Sequence, residues 1–444
     1  MTKAGDSYKG LQLPNVPRTV GYVVYFVALL LTALFVWWHI CDVIVQKQIL
    51  QTKGQVVDFV LFYAAGWMLR TAPDQAAQIY NSAAFTHAIQ QLTQPFEPAG
   101  TYRFFYPPFM VAVFFPFTLA PLQWAWGMWT AFCVLAAAGA VKILDQRQGV
   151  KLWLAVCVAS AASLPAFFNF RVGQTGILLL AGSALFFYFC RQQKYFHSGI
   201  ATALLLAKPQ FAPLFLVAGC VVGRWQYVRG AAVAVLLLLI ACLPVGGLSG
   251  IIEFVRTMFS ADVHRELTEL TTLENLRGLI MLLPGTSPRL VLFLCLALTV
   301  LTAVLTGVLW LRYRRLNRHD EVLFGVLSAC TLLFTLAFTV HVLPYDYLAL
   351  SVVAMLLWPA LDLLGRRKYT QWSRVLLLIM PFLSWGTFVF LPLVTMLQGA
   401  GPAAVVVCSP LLLILVHPLF IGSVAQLWLA WLLARERLRE ATTT

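Results

Sequence analysis

Apolar runs long enough to cross a bilayer recur along almost the whole chain, and that recurrence leaves few folds open. A span needs about 17 to 25 apolar residues. Candidates lie at 20–43, one crossing within 107–141, 152–168, 174–190, 197–207, 209–222, 228–246, 289–311, 321–340, 347–363, 375–397 and 403–433. Charged residues make up only 11% of the 444, against about 25% in a soluble domain. No long polar stretch remains for a separate soluble domain, so 1–444 reads as one integral-membrane unit. The first run is followed by Cys41-Asp42 rather than a small-residue cleavage site, and reads as a retained span. Pro107, Pro108, Pro116 and Pro121 break the 107–141 region, which is too long for one span. Part of it reads as re-entrant or interfacial.

Charge distribution sets the orientation. The net charge is +14, which on its own would suit nucleic acid or anionic lipid. About two thirds of the 31 basic residues instead fall in alternate connections, such as Arg312-Tyr313-Arg314-Arg315 and Arg366-Arg367-Lys368. The other connections carry acids and bases in equal number. This is the positive-inside pattern. It predicts an all-α polytopic bundle of about twelve transmembrane helices with both termini cytoplasmic, and no nucleic-acid partner. Cysteines sit mostly inside apolar runs and form no CxxC or Cys/His pattern, so they read as small packing residues.

Two long loops then lie on the outer face, at about 45–106 and 247–288. Asp58–Arg70, Gln75–Leu92 and Ile251–Val263 suit amphipathic helices lying on the membrane. Most polar residues that are not topology signals also fall on this face. Asp58 is the sole acid between Asp42 and Asp74, in apolar and aromatic company. A carboxylate there is costly unless solvated, paired or used; a helix N-cap and a catalytic base are both open. Lys208, before Pro209, is either an anion ligand at a helix break or a snorkelling boundary residue. Asn169, Arg171 and Gln174 form a polar turn in which Arg171 suits a phosphate. His341 and Asp346 flank Pro344 on another turn. Arg265 and Arg277, in a mixed-charge run of the second loop, are further phosphate or acceptor candidates. Phe104 to Pro108 reads as an interfacial anchor or a wall for a lipid chain. No HExxH, DxD or Walker sequence is present.

Asp58-Phe59 with Tyr63-Ala64, Tyr106-Pro107-Pro108, Gly173-Gln174, Lys208-Pro209-Gln210 and His341 with Tyr345-Asp346 occur in an order that resembles glycosyltransferase family 87. The resemblance covers roughly residues 20 to 365. It implies a GT-C-type membrane fold in a bacterial inner membrane, similar to polyprenyl-phosphate-mannose-dependent mannosyltransferases. It also implies a polyprenyl-phosphate sugar donor, a lipid or glycan acceptor and a site on the periplasmic face. Asp58 would be the general base and His341 a second catalytic residue. Tyr63, Tyr106, Gln174, Gln210, Tyr345 and Asp346 would line the substrate site. Lys208, Arg171, Arg265 and Arg277 would face the donor phosphate. The family often has a Tyr-Asp pair where this chain has Tyr80-Asn81, which leaves Asp74 as the nearest acid. No cofactor is required, and the site is compatible with a divalent ion without needing one. A transporter or flippase of lipid-linked sugar is the alternative; it predicts ionisable groups near mid-membrane rather than gathered at one boundary.

Overall fold

The computed structural model describes residues 57–94, 98, 100–145, 150–260, 273, 275–281, 287–316, 320–364, 373–374, 377 and 418–443. All regular structure among them is helical. The expected span at 20–43, all of 375–397 except residue 377, and the first half of 403–433 lie outside the described residues.

The chain enters at α1 (Asp58–Thr71), passes a 3₁₀ segment (Pro73–Tyr80) and continues in α2 (Ser82–Thr93). Asn81 caps α2, its side chain accepting from the Ala83 and Ala84 N–H groups at 3.1 Å each. α3 (Phe109–Phe114) runs into a 3₁₀ turn (Phe115–Leu119), and α4 (Leu122–Leu144) follows Pro121. The crossing within 107–141 is therefore α4, and the Pro-broken part before it is short. α5 (Val150–Ala161) and α6 (Leu164–Val172) are bent by 64° at their junction, where Pro165 denies the helix a donor. α7 (Gly176–Arg191) and α8 (Tyr195–Leu205) lead to the Lys208 turn. α9 (Ala212–Cys242) is two helices joined at Arg224, whose φ 47, ψ −134 is non-helical. Next come α10 (Gly247–Met258), α11 (Leu276–Met281), α12 (Pro288–Leu316) and α13 (Glu321–Phe338). A 3₁₀ turn (Pro344–Ala349) opens α14 (Leu350–Leu357), and α15 (Pro418–Thr443) closes the described chain.

Among the described residues five helical stretches are long and apolar enough to cross a membrane: Leu122–Leu144, Pro209–Val245, Arg289–Arg315, Glu321–Phe338 and Pro344–Leu361, with the bent α5–α6 pair a sixth. This is an integral membrane protein. α4 and α12 turn Trp124, Leu135, Phe293 and Val300 outward, as helices facing lipid do. α13 is buried almost all round and sits at the centre.

The outer-loop helices differ from one another. α10 carries Leu248, Ile252 and Val255 exposed along one stripe, continued by Phe259 just past its end, the expected amphipathic pattern. α1 departs from it. Phe59, Val60, Phe62, Tyr63, Ala64, Ala65, Met68 and Leu69 are all buried. A helix apolar on most sides belongs in a core rather than on a surface.

α8 and α9 approach so closely that only glycine fits. A Cβ on Gly230 would lie 2.0 Å from the Phe196 carbonyl oxygen, and one on Gly199 2.4 Å from that of Tyr227. Backbone atoms cannot yield as a side-chain tip can. Gly230→Ala is therefore expected to destabilise the fold by about 1–3 kcal/mol, seen as a lowered unfolding temperature in detergent; an unchanged temperature would contradict this packing.

Candidate functional site

The helix α1 begins at Asp58, with Val57 in extended conformation before it and no side-chain cap. The carboxylate is therefore not occupied as an N-cap, although its place in the first turn suits the helix dipole. Its neighbours hold it firmly. Phe62 stacks on Phe114 with ring centroids 4.4 Å apart and meets the Tyr106 ring edge-on at 4.7 Å. Burial pushes the Asp58 carboxyl above the usual carboxylate range; the Gln174 amide and the Lys208 ammonium act in the opposite sense.

Gln174 reaches Asp58 because α6 ends abruptly. Ser163 caps the start of α6. Gly173 closes its end in the left-handed region at φ 73, and the Gln174 N–H returns to the Asn169 carbonyl at 3.0 Å. A Cβ at Gly173 would meet Phe59 Cβ at 2.4 Å, so the turn lies directly on the start of α1. From there Gln174 Nε2 donates to Asp58 Oδ2. Gln174 Oε1 accepts from the Tyr106 hydroxyl at 3.0 Å.

A second pair lies beside the first. Lys208 Nζ is 2.6 Å from Asp346 Oδ1 and 4.2 Å from the centre of the Tyr345 ring. Asp346 is wholly buried, and its Oδ2 accepts from the Leu343 N–H at 3.0 Å. Asn169 Nδ2 donates to the Tyr345 carbonyl at 2.7 Å. Gly176 permits this approach, since a Cβ there would lie 2.3 Å from the same oxygen. The α6–α7 turn thus touches both the start of α1 and the 344–349 turn.

Farther along, Gln210 Nε2 donates to the His341 carbonyl at 3.4 Å. Arg277 Nη1 donates to the Val340 carbonyl at 3.2 Å. Arg277 Nε and Nη2 and His341 Nδ1 are buried and make no hydrogen bond among the described residues. Burial, with the positive charges of Lys208 and Arg277, pulls the His341 imidazole down to about 3, so it is neutral near pH 7. Asn275 steadies this stretch by donating to the Thr339 carbonyl.

Asp58, Tyr106, Gln174, Lys208, Tyr345 and Asp346 therefore meet, with Gln210, His341 and Arg277 continuing the network. Arg171 is half-buried on the last turn of α6. Tyr63 stands apart, its hydroxyl donating to the Ala120 carbonyl at 2.9 Å. Asp74 is exposed, and Asn81 serves as the α2 cap. Arg265 lies outside the described residues. The bracing parts of Asn169 and Asn275 have no signal in the sequence beyond their polarity. Among the described residues no group of three or more His, Cys, Asp or Glu could hold a metal ion.

Ionisable side chains gathered where the helices of a membrane bundle break mark a polytopic membrane protein with a buried polar cluster. The glycosyltransferase family 87 model matches residues 104–340, more than half of the chain, and the chain belongs to that family. It is thus an enzyme that moves a sugar from a donor to an acceptor. The matched stretch contains Tyr106, Gln174, Lys208 and Arg277; Asp58 and the 341–346 turn lie outside it. No curated protein and no solved structure matches the chain.

Breaking a buried ion pair leaves an uncompensated charge. Lys208→Met is therefore expected to cost about 3 kcal/mol or more of stability, and Lys208→Met with Asp346→Leu distinctly less. Thermal unfolding of the single and double variants checks this.

Proposed function

We propose that the protein is an inverting glycosyltransferase that uses a polyprenyl-phosphate sugar, with mannose the best single candidate. The acceptor is a hydroxyl of a lipid or glycan. In this reading the bundle has about twelve spans with both termini cytoplasmic in a bacterial inner membrane, and the site opens to the periplasm. The observation that carries it is a desolvated carboxylate, Asp58, bonded through one oxygen to Gln174 in a chain of this family.

The reaction needs a base and a stabilised leaving group. The acceptor oxygen attacks the anomeric carbon as its proton passes to Asp58. The bond from that carbon to the phosphate oxygen breaks, and the electron pair leaves with the lipid phosphate. A carboxyl raised above its ordinary range is a stronger base than a free aspartate.

Phosphate recognition falls mainly to Arg277. It is desolvated, and among the described residues two of its donor groups are unused, as is His341 Nδ1. A guanidinium fork with free N–H groups suits a phosphate oxygen pair. His341, being neutral, contributes a hydrogen bond rather than a charge. Lys208 has its charge balanced by Asp346 and acts on the site through its field. Arg171, on the last turn of the helix just before the Gln174 turn, adds positive potential.

The test is purified protein given polyprenyl-phosphate-mannose and a bacterial membrane-lipid extract as acceptor pool. Asp58→Asn is expected to lower turnover by about 10²-fold or more with donor binding retained; full turnover in this variant would remove Asp58 as the base. Arg277→Ala is expected to weaken donor use by about 2 kcal/mol, and unchanged donor affinity and rate would place the phosphate elsewhere. Wild-type turnover is expected to rise with pH as Asp58 loses its proton, with the limb above the ordinary aspartate range. His341→Gln is expected to leave that limb in place, because His341 is already neutral there.

A further inference from the structure

The Gln174 side chain is held at both ends of its amide. Nε2 donates to Asp58 Oδ2. Oε1 accepts from the Tyr106 hydroxyl at 3.0 Å and from the Thr175 backbone N–H at 3.3 Å. A backbone N–H can only donate, so the oxygen must lie on the Thr175 side and the NH₂ on the Asp58 side. A rotated amide would set NH₂ against that N–H and oxygen against the Asp58 oxygen. The direction of the Gln174–Asp58 bond is therefore set by chemistry, independently of how the two amide atoms are assigned.

The supports of this amide are themselves fixed. Gln174 is buried, and its backbone follows the left-handed Gly173, which lies against Phe59. Tyr106 is held by Phe62 against its ring and by the Tyr80 hydroxyl, which donates to the Tyr106 carbonyl at 2.8 Å. Asp58 has no further hydrogen-bond partner among the described residues. One carboxylate oxygen is thus tied and the other remains available.

We propose that Gln174 is a positioning residue for sugar transfer: it holds Asp58 by one oxygen so that the other meets the acceptor hydroxyl, and Tyr106 holds Gln174 in turn. This rests on the assignment of Asp58 as the base. A neutral amide suits the task better than a cation. An arginine in its place would bind the carboxylate through both oxygens and weaken it as a base. The amide orients the group and favours its ionised form without cancelling its charge. Among the described residues the ionisable groups whose charges bear on this cluster are Lys208, Tyr106, Tyr345 and Asp346; of these only Lys208 is a cation, and its charge is paired with Asp346.

The test is an infrared titration of the protein in lipid nanodiscs, which needs no substrate. The carboxyl band present in wild type and absent from Asp58→Asn reports the Asp58 proton. In Gln174→Leu the band is expected to titrate about one pH unit higher, since a bond to the ionised form is lost. Turnover of polyprenyl-phosphate-mannose is expected to fall about tenfold or more at fixed pH, with KM for the donor within about twofold. Tyr106→Phe removes a single oxygen and leaves the ring packed. It is expected to shift the band the same way by less, and to add nothing to Gln174→Leu in the double variant.

An unshifted band in both single variants overturns the proposal. So does a raised KM at unchanged kcat, which would make Gln174 a substrate ligand. If Gln174→Leu does not fold, Tyr106→Phe alone decides by its band. Full turnover in Asp58→Asn would instead remove the base assignment, whereas an inactive Asp58→Asn with unshifted bands removes only the role of Gln174.

Discussion

The polar cluster of this site is organised around one buried ion pair, Lys208 with Asp346. Neither charge would be tolerated alone so far from water. Together they tie the break between α8 and α9 to the break before α14. Both breaks are prolines, Pro209 and Pro344, where the backbone cannot continue a helix. Tyr345 is carried along, its ring under the Lys208 ammonium and its carbonyl held by Asn169. The α6–α7 turn is thereby placed, and with it Gln174 and the carboxylate of Asp58.

The pairings that make the site span long stretches of chain. Gln174 and Asp58 are 116 residues apart, and Lys208 and Asp346 are 138 apart. Sequence reading found the participants because each is a polar residue at the end of an apolar run, where membrane helices rarely keep one without cause. It could not pair them, because pairing depends on which helix breaks lie side by side. In the fold Asp346 has both oxygens engaged by the protein and Gln174 grips the neighbouring carboxylate, pairings that no motif announces. Tyr63 matched a motif, but its hydroxyl is turned to Ala120.

The helical, membrane-spanning character of the chain was legible because it depends on composition over about twenty residues. The lie of α1 was not. Its sequence sets the small run Ala64-Ala65-Gly66 between two runs of large apolar residues, and a periodic reading assigns it one wet face. Burial by α3, the 115–119 turn and the Gln174 turn covers that face instead, with Gly66 and Gly173 admitting the close approach. The same physics explains α10, which has no such cover and keeps its stripe exposed.

The stretch that carries the family match, 104–340, is electrostatically incomplete on its own. It holds the ammonium of Lys208 but not the carboxylate that neutralises it. It holds the amide of Gln174 but not the carboxylate that the amide grips. Both missing anions are supplied from flanking segments, one before the match and one after it. The enzyme is therefore closed like a clasp, with a segment from either side of the match brought to a common middle. Its site exists only when chain on both sides has folded onto that middle, and a protein cut to the matched boundaries would retain the sockets without the charges that fill them.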